Sequence, residues 1–215
     1  MIQDTGIDIV VLNCNNDGFI QPCLKSIIDN TPAPYNLIVV DQNSQDGTRD
    51  WLISFQSISH LILNKMNVGV AEGRNQGIRA GKYPWIAFID SDVEIKDKEW
   101  VDKMWNYTID HHIGFIEGEN LSTSFALVRR KCFNEIGMFD SNFVICENIE
   151  WMVRLKWNKY WRKAICPELD VIHSGGQTTI KGILKNKSVE MSVEMSKLLT
   201  FKYNEEFIMK MLNGN

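Results

Sequence analysis

The sequence predicts an α/β fold with a mostly parallel central sheet and helices on both faces. Three observations carry this. Apolar strand-like runs and helix-spaced segments alternate four times within the first 92 residues, the pattern of βα units feeding a parallel sheet. Polar residues gather where those strands end, at Asn13 to Asp17, Asp41, Asn64, and Asp90 with Asp92. Ligands of such sheets sit beyond the carboxyl ends of the strands. Third, Trp85-Ile86-Ala87-Phe88-Ile89 runs straight into Asp90-Ser91-Asp92. The run is short, aromatic and branched, as in a strand buried on both faces.

Taken in order, Ile7 to Leu12 is a first buried strand, closed by the polar cluster Asn13-Cys14-Asn15-Asn16-Asp17. Phe19, Ile20, Leu24, Ile27 and Ile28 follow helical spacing until Asn30, Pro32 and Pro34 stop the helix. Leu37 to Val40 is a second strand ending at Asp41. Thr48 is the expected cap of a helix carrying Trp51, Leu52 and Phe55, and Leu61 to Leu63 is a third strand. Asn67 to Gly81 reads as a glycine-punctuated loop and helix before the strand that ends at Asp90. The second half is less regular. Helices are expected around Trp100 to Trp105, Lys131 to Ile136 and Ile149 to Leu155, and strands at Ile113 to Ile116, Phe125 to Val128 and Trp161 to Cys166. His173-Ser174-Gly175-Gly176 reads as a loop, and Ile180 to about Met211 as a helical tail. With no repeat or linker, residues 1–215 read as one domain: 1–92 and 93–179 as its halves, 180–215 as the tail.

Composition narrows the class. The chain is 44% hydrophobic and 23% charged, which excludes disorder and fibre. A net charge of -4 gives no general case for nucleic-acid or anionic-membrane binding. Lysines 181, 185, 187, 197 and 202 of the tail are the one hint of an anionic partner, and such lysines usually form a solvated face. Five cysteines, an odd number without a Cys-x-x-Cys pair, read as reduced thiols in a cytoplasmic protein. No signal peptide and no transmembrane segment are visible, and a peripheral membrane contact stays open.

Two stretches carry chemistry. Asp90 and Asp92 alternate onto one side of a strand end, where two carboxylates can hold one Mg²⁺ or Mn²⁺ with phosphate oxygens completing its shell. An isolated Asp-Ser-Asp is more often a solvated turn. Gly69, Gly73 and Gly77, four residues apart, each cost roughly 1 kcal/mol against Ala inside a helix. Either a ligand or a neighbouring backbone approaches closely there, and the residues alone leave both open. Arg74 adds a cationic fork suited to phosphate or a base carbonyl.

The order of Ile9-Val10-Val11-Leu12 with Asn16, Leu37 to Thr48, Asn67-Val68-Gly69, Gly73-Arg74-Asn75-Gln76-Gly77 and Phe88 to Asp92 closely resembles the family-two glycosyltransferases of the GT-A fold. Gly137-Met138-Phe139-Asp140, Glu147-Asn148-Ile149-Glu150, Arg154 and His173 to Gly176 extend the resemblance over roughly residues 7 to 179. It implies a transferase that moves a sugar, with inversion, from a nucleotide-diphosphate sugar (a UDP-sugar first) to a hydroxyl acceptor. It implies a divalent Mn or Mg cofactor on Asp92, with His173 close by. Asp41 matches a carboxylate that accepts from the base; Arg74 lies near base and phosphates; Asp90 meets sugar, ribose or a metal-bound water. Asn13, Asn15, Asn67 and Gly69 complete the donor-binding set.

Two departures stand out. The usual Pro-Thr-Tyr-Asn-like run is Asn13-Cys14-Asn15-Asn16 here, without an aromatic to stack on the base. The catalytic Asp of a Glu-Asp pair is Asn148, and an amide cannot take the acceptor proton. Glu147 and Glu150, three apart on one helix face, are the candidates to substitute; Glu147 is preferred for its motif position beside Asn148, and Glu150 has orienting an acceptor hydroxyl or pairing with Arg154 as its other readings. Glu117, Glu119 and the tryptophan-rich second half are candidates for the acceptor pocket. Saccharide, lipid-linked saccharide, protein and modified nucleic acid stay open as acceptors. Two rivals change the class: a nucleotide-sugar sensor or subunit without turnover, on the same fold, and a nucleotidyltransferase, which also pairs carboxylates with Mg²⁺ and a triphosphate. The absence of a lysine-bearing glycine-rich phosphate loop counts against the second.

Overall fold

The computed structural model describes residues 6–32, 34–143 and 146–174. The expected helical tail lies outside them. Strands β1 (Ile7–Asn13), β2 (Tyr35–Asp41), β3 (His60–Leu63) and β4 (Trp85–Asp90) alternate with helices α1 (Ile20–Asn30), α2 (Thr48–Ser54) and α3 (Val70–Ala80). After β4 come β5 (Val93–Ile95), α4 (Trp100–Asn106), β6 (Ile113–Gly118), β7 (Phe125–Arg129), α5 (Arg130–Ile136), α6 (Glu147–Trp157), β8 (Arg162–Cys166) and β9 (Val171–His173). Seven strands form one sheet in the order β3-β2-β1-β4-β7-β6-β8. Strand β7 is antiparallel to both neighbours; the remaining pairs of this sheet are parallel.

Alternation along each strand divides the core. Ile7, Ile9 and Val11 of β1 face a cluster with Leu24 and Ile27 of α1, Leu52 of α2 and Trp100 of α4. Val10, Ile38 and Phe88 face the other side, with Ile78 of α3, Phe133 of α5 and Trp151 of α6. Both sheet faces are therefore buried, which is why β1, β2 and β4 read as nearly continuous apolar runs.

The chain moves outward from β1 through β2 to β3, then returns to place β4 on the other side of β1. Such a reversal opens a crevice above the carboxyl ends of the two central strands. At the opposite edge, fully buried Asp8 accepts hydrogen bonds from Arg130 (2.6 Å), the Tyr83 amide (2.7 Å) and Asn36 (2.8 Å). These bonds tie β1, β2, the start of β4 and α5 together.

Three elements differ from the sequence expectation. Thr48 is the first helical residue of α2 rather than its cap, because Asp46 accepts from both its amide (3.2 Å) and its hydroxyl (2.6 Å). Strands β5 and β9, three residues each, form a separate antiparallel pair, so His173 ends a strand rather than lying in a loop. Glycines 73 and 77 serve packing. A Cβ on Gly77 would stand 2.3 Å from Val10 Cγ1, and one on Gly73 would stand 2.1 Å from Gln42 Nε2.

Gly77→Ala tests the packing reading. Overpacking against fully buried Val10 costs about 1–3 kcal/mol, partly offset by about 1 kcal/mol of helix propensity. The expected outcome is a net loss of up to about 2 kcal/mol in a denaturant titration, whereas an open site would show a gain.

Candidate functional site

A cleft of about 280 Å³ opens at the carboxyl ends of β1, β2 and β4. One end is lined by Asn13, Cys14, Gln42 and Asn67, the other by Asp90, Ser91, Asp92, Ser124 and His173, with Gly69, Val70 and Arg74 along the wall.

The first end is built from β1 and the β2–α2 loop. The Asn13 Nδ2 donates toward Asp41 (3.0 Å), Ser44 (3.0 Å) and Thr48 (3.2 Å). The Asn13 Oδ1 is buried with no hydrogen-bond partner among the described residues. Asp41 lies beneath this layer. It is fully buried, accepts from the Ser44 hydroxyl at 2.6 Å and Arg49 at 3.2 Å, and is not among the cleft-lining residues. Asn15, exposed at φ 48°, is also outside the lining and is tied instead to the Ser44 hydroxyl and the Gln45 amide. Gln42, the residue after Asp41, does line the cleft. Its side chain is held by Gly69 O (3.0 Å), Asn64 (3.1 Å) and the Val68 amide (3.1 Å). Cys14 takes a hydrogen bond from Asn67 at 3.4 Å, and burial, reinforced by Asp41 and Asp46, pushes its thiol pKa up.

The wall comes from α3. Gly69 precedes the helix with φ 84°, a conformation glycine adopts without strain. The amino end of α3, the end of a helix suited to phosphate oxygens, meets the cleft there. Arg74, 4% exposed, reaches past Phe88 and Phe139 to donate to Asp90 Oδ1 at 3.1 Å and Glu147 Oε1 at 2.6 Å.

The acidic end joins distant parts of the chain. Asp90 ends β4, and Asp92 follows in the turn before β5. Val93 of β5 pairs with His173 of β9, and the Ser174 amide donates to Asp92 O at 3.1 Å. One ligand atom each from Asp90, Asp92 and His173 lies within 4.8 Å of the others, with His173 Nε2 3.5 Å from Asp92 Oδ1. Two carboxylates and an imidazole so placed are a donor set a divalent cation fits. Asp90 Oδ2 also accepts from the Ser124 hydroxyl at 2.7 Å. Fully buried Cys23, on α1, donates its thiol to Asp90 O; burial, with Asp90 and Asp92 nearby, pushes its pKa far up.

Of the residues expected in the site, Asn13, Asn67, Gly69, Arg74, Asp90, Asp92 and His173 line the cleft. Glu147 and Glu150 do not. Glu147 is the buried partner of Arg74, and fully buried Glu150 is clamped by Arg154 at 2.8 and 2.6 Å. Arg154 also donates to Ile136 O and Met138 O, so this pair ties α6 to the end of α5. Asn148 donates to Ser122 Oγ at 3.1 Å, on the same 3-10 turn as Ser124. Glu117 pairs with Lys163 at 2.8 Å, and Glu119 is exposed. Sequence reasoning did not single out Gln42 or Ser124. Gln42 carries a signal, since it directly follows Asp41 at a strand end; Ser124 carries none.

A crevice at the sheet's point of reversal, with acids at one end and neutral polar groups at the other, is where an open α/β sheet takes its ligands. The family model for Glycosyl transferase family 2 matches residues 8–123, more than half of the chain, and the chain belongs to that family. Glycosyltransferase GlyA of Streptococcus pneumoniae serotype 4 is 23% identical over 181 residues, 79% of this chain and 26% of GlyA. The chain thus spans about a quarter of that relative's length. Among solved structures, S. aureus TarS 1-349 in complex with UDP aligns with a TM-score of 0.62 at 16% identity, over 76% of this chain and 58% of that one. The mannosyltransferase PcManGT of Pyrobaculum calidifontis, in complex with GDP-Man and Mn²⁺, aligns with a TM-score of 0.63 at 16% identity, over 75% and 55%. The shared fold is GT-A.

Glu150→Gln tests the structural duty of that acid. Removing one partner of a buried ion pair costs about 3–5 kcal/mol. The expected result is a lowered unfolding midpoint with the ligand affinities of the folded protein retained.

Proposed function

We propose that this chain carries the donor site and transfer centre of a metal-dependent glycosyltransferase. It takes a nucleotide-diphosphate sugar, a UDP-sugar first, and passes the sugar with inversion to a hydroxyl acceptor, a saccharide in the simplest case. The observation that carries the reading is the convergence of Asp90, Asp92 and His173 at one end of a cleft whose other end is neutral and polar. Family membership supports it, as do TarS in complex with UDP and PcManGT in complex with GDP-Man and Mn²⁺.

The parts divide by chemistry. The base would lie against Asn13, Cys14, Gln42 and Asn67. Asp41 supports that wall from beneath, through Asn13 and Ser44. The diphosphate would lie along the amino end of α3. Asp92 and His173, with Asp90, would hold Mn²⁺ or Mg²⁺, which when bound supplies positive charge against the negative charge growing on the leaving diphosphate. The acceptor would approach from the side of Asn148 and the Ser122–Ser124 turn. The ion pairs of Glu147 and Glu150 favour supporting duties for both over proton transfer. Asn148 then occupies the base position as an amide and limits turnover. The same residue favours a second reading, a nucleotide-sugar binder that does not transfer, and a positive transfer assay on the unaltered chain excludes it.

Calorimetric titration with UDP, GDP and dTDP sugars, with and without Mn²⁺, tests the donor site. One nucleotide sugar is expected to bind in a metal-dependent manner, at least tenfold more weakly in Asp92→Asn, about 1.4 kcal/mol. Equal binding with and without metal would remove the metal assignment, and no nucleotide-sugar binding would remove the donor assignment.

Asn148→Asp is expected to raise donor hydrolysis or transfer by about a hundredfold, the low end of what a placed general base contributes. The readout is release of nucleoside diphosphate. An unchanged rate would place the proton acceptor elsewhere.

A further inference from the structure

Arg74 is one cation shared between two carboxylates that differ in surroundings. The Glu147 side chain is 8% exposed and 2.6 Å from the guanidinium; the Asp90 side chain is 32% exposed and 3.1 Å away. The rings of Phe88 and Phe139, each 5.8 Å from the Arg74 centre, keep the guanidinium within reach of both. Attraction strengthens as water is excluded, so the buried Glu147 holds the larger share of the arginine charge. Glu147 does not line the cleft, and Asp90 does. The acid outside the cleft lining thus takes up the cation that would otherwise pair fully with the acid in it.

We infer that Glu147 is a positioning residue for the metal group: by engaging Arg74 it leaves Asp90 the negative charge a divalent cation requires. The inference rests on the proposed metal site at Asp90, Asp92 and His173 and goes beyond it in naming what keeps that site acidic. The Ser124 hydroxyl on Asp90 Oδ2 is neutral and orients the carboxylate without cancelling its charge. Without the Glu147 charge, Arg74 keeps Asp90 as its cleft-side anion, and a metal ion must compete with a guanidinium for that carboxylate. Loss of a partner that tunes a metal ligand from behind typically weakens metal affinity roughly ten- to a hundredfold.

The test is calorimetric titration of Mn²⁺ alone, without nucleotide, into the unaltered chain, Glu147→Gln, and the double variant Glu147→Gln with Arg74→Gln. Glu147→Gln is expected to weaken Mn²⁺ binding by about tenfold or more. The double variant removes both charges and is expected to return to within about threefold of the unaltered chain, although it carries more damage to the site. That recovery separates charge balance from structural support, which a second substitution would only worsen. Unchanged Mn²⁺ affinity in Glu147→Gln overturns the inference, as does a double variant as weak as the single one. No Mn²⁺ binding by the unaltered chain overturns the metal site itself, and the inference with it. Should Glu147→Gln fail to fold because Arg74 is left with a lone buried charge, the double variant decides alone: near-native affinity supports the inference and weak binding overturns it.

Discussion

The parallel pairing of β1 with β2 on one side and β4 on the other is the constraint on which the rest depends. The registers bring Asn13 beside Asp41 and Leu12 beside Asp90, so two polar strand ends finish at one level. Between them the sheet reverses direction of growth, and the crevice forms there. Had β4 joined beyond β3, Asn13 and Asp90 would lie far apart and no single cleft would join them. The apolar faces of β1 and β4, buried against helices on both sides, hold this register.

Behind the cleft wall, charge is arranged in opposed pairs rather than left to solvent. Arg49 meets Asp41, Arg74 meets Glu147 and Asp90, and Arg154 meets Glu150. Burying a carboxylate costs far less when a guanidinium fork and further hydrogen bonds meet it. Asp92 and His173 lie in contact with each other at the acidic end.

Much of the fold was legible because its signals are local. The βα alternation before residue 92 follows from periodicity, strand-end polarity and glycine or proline punctuation within windows of about ten residues. The second half was read element by element, but not its order: nothing in Phe125 to Val128 says that it inserts antiparallel between β4 and β6. Strands β5 and β9 were missed because three residues carry no period. In the site, Asp90, Asp92, Arg74 and His173 were found through motif order, and they meet in one cleft. The supporting position of Asp41 was not legible, because a strand-end carboxylate looks the same whether it faces ligand or Asn13 and Ser44. Nor could sequence divide Arg74 between Asp90 and Glu147, which depends on relative burial across 73 positions of chain to the glutamate. The glycines carried a true signal with two readings, and only the distance from Gly77 to Val10 separates them.

The β5–β9 ladder has a consequence for the order of assembly. It brings Asp92 against a residue 81 positions away, and every strand from β6 to β8 lies within that span. The neutral end closes over shorter spans, 28 positions from Asn13 to Asp41 and 27 from Gln42 to Gly69, and shorter loops cost less entropy and form sooner. The neutral end of the cleft is therefore a product of early, local folding, while the acidic end is complete only when the far half of the chain has come back to it.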